Sequence, residues 1–490
     1  MTTAALSDPG RSTVHGRSRT KPNALRRTLV TTIPVSALPR ASSTIVVTAV
    51  TLASLAPSLL PRSALTQALF TGVLAAFGFG FVVLIRRVRY LVTRSRSHHP
   101  PRDSVPLLVL IGAMIVVAWA IVLADHWQDS LRAAMGMPGI GPDHWMQAII
   151  GAALTFLLFV GIGSFVGTVA RRLGWIGSAT TAVVLATGLQ LVAGPALWGM
   201  MSRSYSDSNA LVDVSLHRPM SAEFSGSPDS AISWESLGRQ GRRFVAAGEQ
   251  SAGIRTYVGM DSAPNIESRA ALAVSELERA GGFTRSAIVV TVPTGSGWID
   301  ENAAEGFEER FADDVAIVGM QYSYLPSWIT FMFGRSAADE SAAALFDAVA
   351  ERIADLPDLL RPALYVYGQS LGSVGGSSIF TDADQLRERV CGALWAGPPA
   401  GSVLTDGAKV LANTSDPVVW WSPDLIVHRP DLSLAERDAP VPQWIPGITF
   451  LQTSVDLVSA LNFAAGHGHR YGSEQGTALP DCSQLGETGP

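Results

Sequence analysis

Five stretches of this chain, residues 41–61, 63–85, 104–124, 145–170 and 173–202, contain no Asp, Glu, Lys or Arg. Each is long enough to cross a hydrocarbon layer of roughly 30 Å as a helix of about 20 residues. Buried helices of a water-soluble fold do not sustain five such runs in succession. The wider composition agrees, with 47% hydrophobic and only 16% charged residues over 490 positions. The expectation is an all-α transmembrane region of about five helices over 41–202, preceded by a disordered basic tail over 1–40. No ionisable residue lies within a span, so the region reads as an anchor or lipid-facing platform rather than a transport path.

Loop charges orient the region. The tail carries Arg11, Arg17, Arg19, Lys21, Arg26, Arg27 and Arg40; the loop after the second run carries Arg86, Arg87, Arg89, Arg94, Arg96 and Arg102; Arg171 and Arg172 follow the fourth. The alternate loops hold only Arg62 and Arg132. Basic loops stay cytoplasmic, so five spans would place everything from Arg203 onward outside, in a multi-pass protein of the cell membrane. His98 and His99 lie in a solvated basic loop and suggest no metal site.

The two halves differ in charge. Before Arg203 stand 17 basic and five acidic residues; from Arg203 onward stand 19 basic and 36 acidic. An acidic second half argues against nucleic acid as a partner. The two cysteines, Cys391 and Cys482, form no CxxC pair, and an extracytoplasmic location would allow them to pair with each other.

After a Ser- and Asp-rich linker at 203–232, short β-branched runs alternate with helix-length stretches, the pattern of βα units around a parallel sheet. Strands are expected at Ile254–Val258, Ala287–Val292, Val315–Gln321, Ala363–Tyr367, Gly392–Ala396, Val410–Asn413 and Ile448–Gln452, with helices at Ser268–Ala280 and Ala337–Leu356. Residues 233–490 therefore read as one α/β-hydrolase-fold domain.

Gly368-Gln369-Ser370-Leu371-Gly372 follows the apolar strand Leu364–Tyr367 and precedes a run of small residues. The glycines permit a tight strand-to-helix turn that exposes Ser370 at a helix N-terminus, as a nucleophile elbow requires. A serine hydroxyl needs a base, and the base an orienting carboxylate, in the chain order Ser, acid, His. Asp416, in Asn413-Thr414-Ser415-Asp416-Pro417, is preferred as the acid, with Asp456 as its rival. His467 and His469, in Gly466-His467-Gly468-His469, are the candidate bases. His467 has the edge because glycines flank it on both sides. No carboxylate or thiolate cluster completes a metal site around this H-x-H pair. Neither a metal nor a cofactor is called for. The oxyanion hole is expected from the Leu371 N–H and an N–H of Gly295 or Ser296, in the glycine-rich loop Pro293–Gly297.

These segments resemble an actinobacterial membrane-anchored α/β-hydrolase family that joins a multi-span N-terminal region to this catalytic domain. The likeness rests on Pro293–Trp298 (PTGSGW), Met320–Trp328 (MQYSYLPSW), the elbow, Gly392–Pro399 (GALWAGPP), Ser415–Asp424 (SDPVVWWSPD) and Gly466–His469 (GHGH). It implies a serine hydrolase, without implying a substrate.

Tyr322, Trp328 and Trp421 stand in aromatic-rich segments that suit either core packing or an apolar substrate pocket. With the membrane so near, the leading expectation is a serine ester hydrolase acting on acyl esters of envelope lipids or lipidated glycans. An acyltransferase using the same residues and a non-catalytic envelope-binding module are the alternatives. Nothing in the sequence fixes an oligomeric state.

Overall fold

The computed structural model describes residues 39–93, 105–249 and 251–482. Residues 1–38 of the basic tail, Arg94, Arg96, Arg102 and the His98–His99 pair lie outside the described residues.

The described residues of the N-terminal region form helices joined by short loops. α1 (Ala41–Ser54) has 14 residues, about 21 Å of helix, too short to cross a bilayer core. α2 (Ala64–Thr93) and α3 (Val105–Ala134) follow, then α4 (Pro142–Gly188), which continues through a π-turn at Leu189–Ala193 into α5 (Gly194–Ala210). Among the described residues three helices are long and apolar enough to cross a membrane: Ala64–Tyr90, Pro106–Ala134 and Pro142–Ala210. That is fewer than the five spans expected. The first interval falls on the short α1, and the fourth and fifth lie on either side of a kink at Gly174 within one helical run. Charge-free stretches mark apolarity but not where a helix ends, which is why the count was too high. The run is interrupted once, at Gly174 (φ 68°, ψ −178°). There Ser178 Oγ reaches Ala170 O, eight residues earlier, at 3.0 Å, a distance that a straight helix cannot close.

The stretch expected to be a linker is packed structure. α5 extends to Ala210, Phe224 forms a β-bridge with Arg255, and Phe224, Ser225 and Ser227 are buried.

From α6 (Gly238–Ala246) the βα alternation begins. β1 (Ile254–Val258) is followed by α7 (Ile266–Arg279), β2 (Ala287–Val292), α8 (Glu301–Arg310), β3 (Val315–Met320), α9 (Ser327–Phe333) and α10 (Arg335–Ala354). Then come β4 (Ala363–Gln369), α11 (Leu371–Ser378), α12 (Ala383–Arg389), β5 (Gly392–Ala396), β6 (Ala408–Leu411), α13 (Pro417–Trp420), α14 (Ile448–Asp456) and α15 (Glu474–Thr477). The strands form one sheet in the order β1-β3-β2-β4-β5-β6, with every pairing parallel. β1, β2, β3 and β5 are buried along their whole length, as a sheet covered on both faces demands.

Successive residues of β4 point to opposite faces. Val366 meets α11 at Gly376. On the other face Tyr367 packs its ring on Phe307 of α8 and donates its hydroxyl to Gln475 of α15. Cys391 and Cys482 form a disulfide that ties the start of β5 to the C-terminal segment.

Six of the seven expected strands form, within two residues at most ends. Ile448–Gln452 does not: it is the start of α14. Its buried residues, Thr449, Gln452, Thr453 and Asp456, recur at helical spacing, while Leu451 and Val458 beyond it face outward. The face turned inward is polar, so a pattern sought in apolar residues reads the segment as a strand.

Candidate active site

β4 delivers Ser370 to the turn into α11 with φ 54° and ψ −121°, a region costing a non-glycine residue about 1–3 kcal/mol. The surroundings enforce it. A Cβ at Gly368 would lie 2.3 Å from Gly372 O, and one at Gly372 would lie 2.1 Å from Val292 O. Both glycines are therefore required for α11 to approach the end of β2. Ser370 N donates to Ala396 O at 2.9 Å, fixing the turn against β5. The Ser370 hydroxyl is only half-buried, at the N-terminus of α11, and makes no hydrogen bond to any described residue.

Asp416 caps α13, accepting from Val418 N at 2.8 Å, and is fully buried. Its other oxygen lies 2.7 Å from His469 Nδ1 and accepts from the Tyr471 hydroxyl at 2.7 Å. Burial and the neighbouring Asp416 carboxylate hold the Tyr471 phenol protonated far above its ordinary range, so it stays a donor. The Tyr471 hydroxyl oxygen in turn accepts from Asn413 N at 3.3 Å. With Nδ1–H given to the carboxylate, His469 Nε2 is left as an acceptor, the tautomer that can take a hydroxyl proton.

His469 lies over Gly397. A Cβ there would come within 2.6 Å of His469 Cε1 and 2.9 Å of Asp416 Oδ2, and Gly397 has φ 55°. Gly397 directly follows Ala396, whose carbonyl holds Ser370. The backbone at the end of β5 thus touches both the serine turn and the imidazole.

His467 has a different partner. Its Nδ1 lies 3.1 Å from Asp438 Oδ2, and Asp438 also accepts from Ser415 N, Ser415 Oγ and Thr414 Oγ1. Of the two histidines, the fold brings His469 to Asp416, which corrects the edge given to His467. Positive φ at Gly466 (88°) and Gly468 (57°) explains the glycines. They build a tight loop rather than a loose one, with Gly468 N donating to Ser415 Oγ, His469 N to Ala460 O and Gly466 N to Arg470 O. Asp456, the rival acid, accepts from Arg62 and Leu59 N of the α1–α2 loop, and neither histidine is among its hydrogen-bond partners.

In the loop after β2, Gly295 N donates to Ser327 Oγ at 3.1 Å, and Thr294 N to Trp298 O. The N–H of Ser296 makes no hydrogen bond among the described residues, nor does that of Leu371, the first residue of α11. Of the expected oxyanion donors, Leu371 and Ser296 are therefore free, whereas Gly295 is engaged by α9.

The aromatic candidates are dispersed. Tyr322 is buried beneath this loop with its hydroxyl on Pro293 O. Trp421 donates to Ser454 Oγ and stacks near Phe450. Trp328 is 65% exposed on α9, alongside the exposed Met332 and Phe333. Phe333 meets Trp198 of α5 edge-on at 5.7 Å between ring centres.

Tyr471, Asp438 and Gly397 were not anticipated. Tyr471 stands two residues from His469, the same-side spacing of an extended chain, but a lone tyrosine gives no warning of its partner. Gly397 lay within the GALWAGPP string without a role attached. Among the described residues no group of three or more His, Cys, Asp and Glu is arranged to hold a metal ion.

A family model described as "Alpha/beta-hydrolase family" matches residues 254–409 and 407–485, and the model of that family's N-terminus matches residues 55–248. No curated protein and no solved structure matches the chain.

Proposed function

Because the chain belongs to this alpha/beta-hydrolase family, as the two matches together covering most of its length indicate, we propose that it is a serine ester hydrolase working through an acyl-enzyme on Ser370. The carrying observation is the buried Asp416–His469 pair, packed on the residue after the carbonyl that holds the strained Ser370 turn. In this reading His469 Nε2 takes the Ser370 proton as the hydroxyl attacks an ester carbonyl. Asp416, held by Tyr471 and Val418, keeps the imidazole in register and stabilises it when charged. Leu371 N–H and Ser296 N–H receive the developing oxyanion. His469 then protonates the leaving alcohol, and water, activated by the same imidazole, releases the acid. A second alcohol in place of that water would make the same residues an acyltransferase. His467 has the structural task of tying the loop to Asp438.

The chain is proposed to divide into a membrane region, α1 to α5, and a catalytic domain that follows it. The catalytic domain is proposed to lie outside the cytoplasm. Its contacts with the N-terminal region include the Leu59–Arg62 loop before α2, Leu131 and Met135 at the end of α3, and Trp198 of α5. The basic residues Arg86, Arg87 and Arg89 stand near the opposite end of α2, the end that belongs inside. A disulfide is in keeping with an oxidising compartment. Exposed Trp328, Met332 and Phe333, beside Trp198 of a helix apolar enough to cross the membrane, favour an acyl ester of an envelope lipid or lipidated glycan as substrate. Alternatively, the domain would be an envelope-binding module without catalysis.

Nitrophenyl esters of increasing acyl length, supplied to isolated membranes, test this reading. Each buried methylene contributes about 0.8 kcal/mol, so kcat/KM should climb with length until the site is filled. Best activity on acetate, unchanged by Trp328→Ala, would replace the lipid reading with deacetylation. No turnover above Ser370→Ala would leave only the binding module.

A further inference from the structure

The loop between α1 and α2 is built into the catalytic domain. Arg62, 2% exposed, donates from Nε and Nη2 to Asp456 Oδ1 at 3.0 and 2.8 Å and from Nη2 to Gln452 O at 3.0 Å. Leu59 N donates to the other Asp456 oxygen at 2.8 Å, and Gln452 Nε2 donates to Ala53 O. α3 braces the loop from behind, with Trp127 Nε1 on Ser58 O and Arg62 N on Gln128 Oε1. A buried charge pair is costly unless its geometry is complete, and here both oxygens of Asp456 are used.

Around this pair Leu59, Leu60, Leu131 and Met135 form one apolar cluster with Trp420, Leu425, Ala460 and Phe463. Two members lead directly to the proposed catalytic pair. Trp420 lies in α13, the helix capped by Asp416, and its Nε1 donates to Thr414 O. Ala460, four residues beyond Asp456, accepts the His469 N–H through its carbonyl at 2.9 Å. Leu60 also reaches the histidine loop itself: its Cδ2 lies 3.4 Å from where a Cβ on Gly468 would sit.

We propose that the α1–α2 loop, through Arg62 and Leu60, is a positioning element of the active site that fixes Asp416 and His469 relative to Ser370. The N-terminal region then completes the catalytic scaffold as well as anchoring it. This inference rests on the serine hydrolase reading for its kinetic consequence, though not for its structural one.

The test uses full-length protein in detergent micelles, with Arg62→Gln and Leu60→Gly. The second variant leaves the ion pair intact should the first fail to fold. Both should lower kcat for a nitrophenyl ester by between about ten- and a hundredfold, the scale of a misplaced catalytic group, with KM within about twofold. Amide hydrogen exchange should quicken across residues 413–421 and 460–470, while β1–β5 exchange as in the wild type. Wild-type kcat and wild-type exchange in both variants would overturn the proposal, as would an equal loosening of β1–β5. A wild-type chain without esterase activity would count against the hydrolase reading alone, and the exchange pattern would still decide whether the loop positions these segments.

Discussion

His469 Nδ1 lies 2.7 Å from an oxygen of the fully buried Asp416, which the Tyr471 hydroxyl holds from a second side at the same distance. His467, two residues away, faces Asp438 instead. One short loop thus carries two histidine–carboxylate pairs, only one of which adjoins the end of β5 that holds the serine turn.

The pairing separates the two histidines by kind of effect. His469→Ala should cut ester hydrolysis by about 10²–10⁴-fold, the range for losing a general base, with little change in thermal midpoint. His467→Ala should retain activity within about tenfold and lower the midpoint by a few degrees, since it releases Asp438 from one of its partners. Kinetics and thermal unfolding of the two purified variants check this; the opposite ranking of activities would return the base to His467.

Tyr471→Phe removes one donor from Asp416 and the acceptor of Asn413 N. Hydrogen bonds to a charged group are worth about 1.5–3 kcal/mol, so kcat should fall by roughly tenfold or more with KM little altered. A Tyr471→Phe enzyme with wild-type kcat would show that Val418 N and His469 suffice to hold the carboxylate.

How much of this was legible in the sequence depends on what each segment buries. The buried strands β2, β3 and β5 declared themselves as short runs that are apolar but for Thr291, and the elbow as glycines around a serine. Where burial is polar, the signal inverts. α14 turns Thr449, Gln452 and Asp456 inward against Ala53, Leu59 and Arg62, partners some 400 residues away in sequence, and it was read as a strand. For the same reason Asp456 looked like a free carboxylate near the histidines. The choice between His467 and His469 turned on Asp438, whose proximity is set by the return of the chain after β6 and not by any local spacing. In the N-terminal region apolarity was plain, but helix ends were not: α1 stops at Ser54, and the run from Pro142 continues past Gly174.

The proposed orientation rests on which end of α2 meets the catalytic domain. Alkaline phosphatase fused after residue 490 should be active in cells, and green fluorescent protein at the same point dark. The reverse would put the catalytic domain, and its substrate, in the cytoplasm. The Cys391–Cys482 disulfide gives a second reading, since protein from cells should run faster on a non-reducing gel than after reduction.

The central claim is that Ser370 is a nucleophile activated by His469. Membranes carrying the full-length protein can be treated with a fluorophosphonate and the labelled peptide identified by mass spectrometry. The account predicts one adduct, on Ser370, absent from Ser370→Ala, slowed at least a hundredfold in His469→Ala and persisting in His467→Ala. An unlabelled wild-type protein, or an adduct on another serine that survives Ser370→Ala, would contradict it.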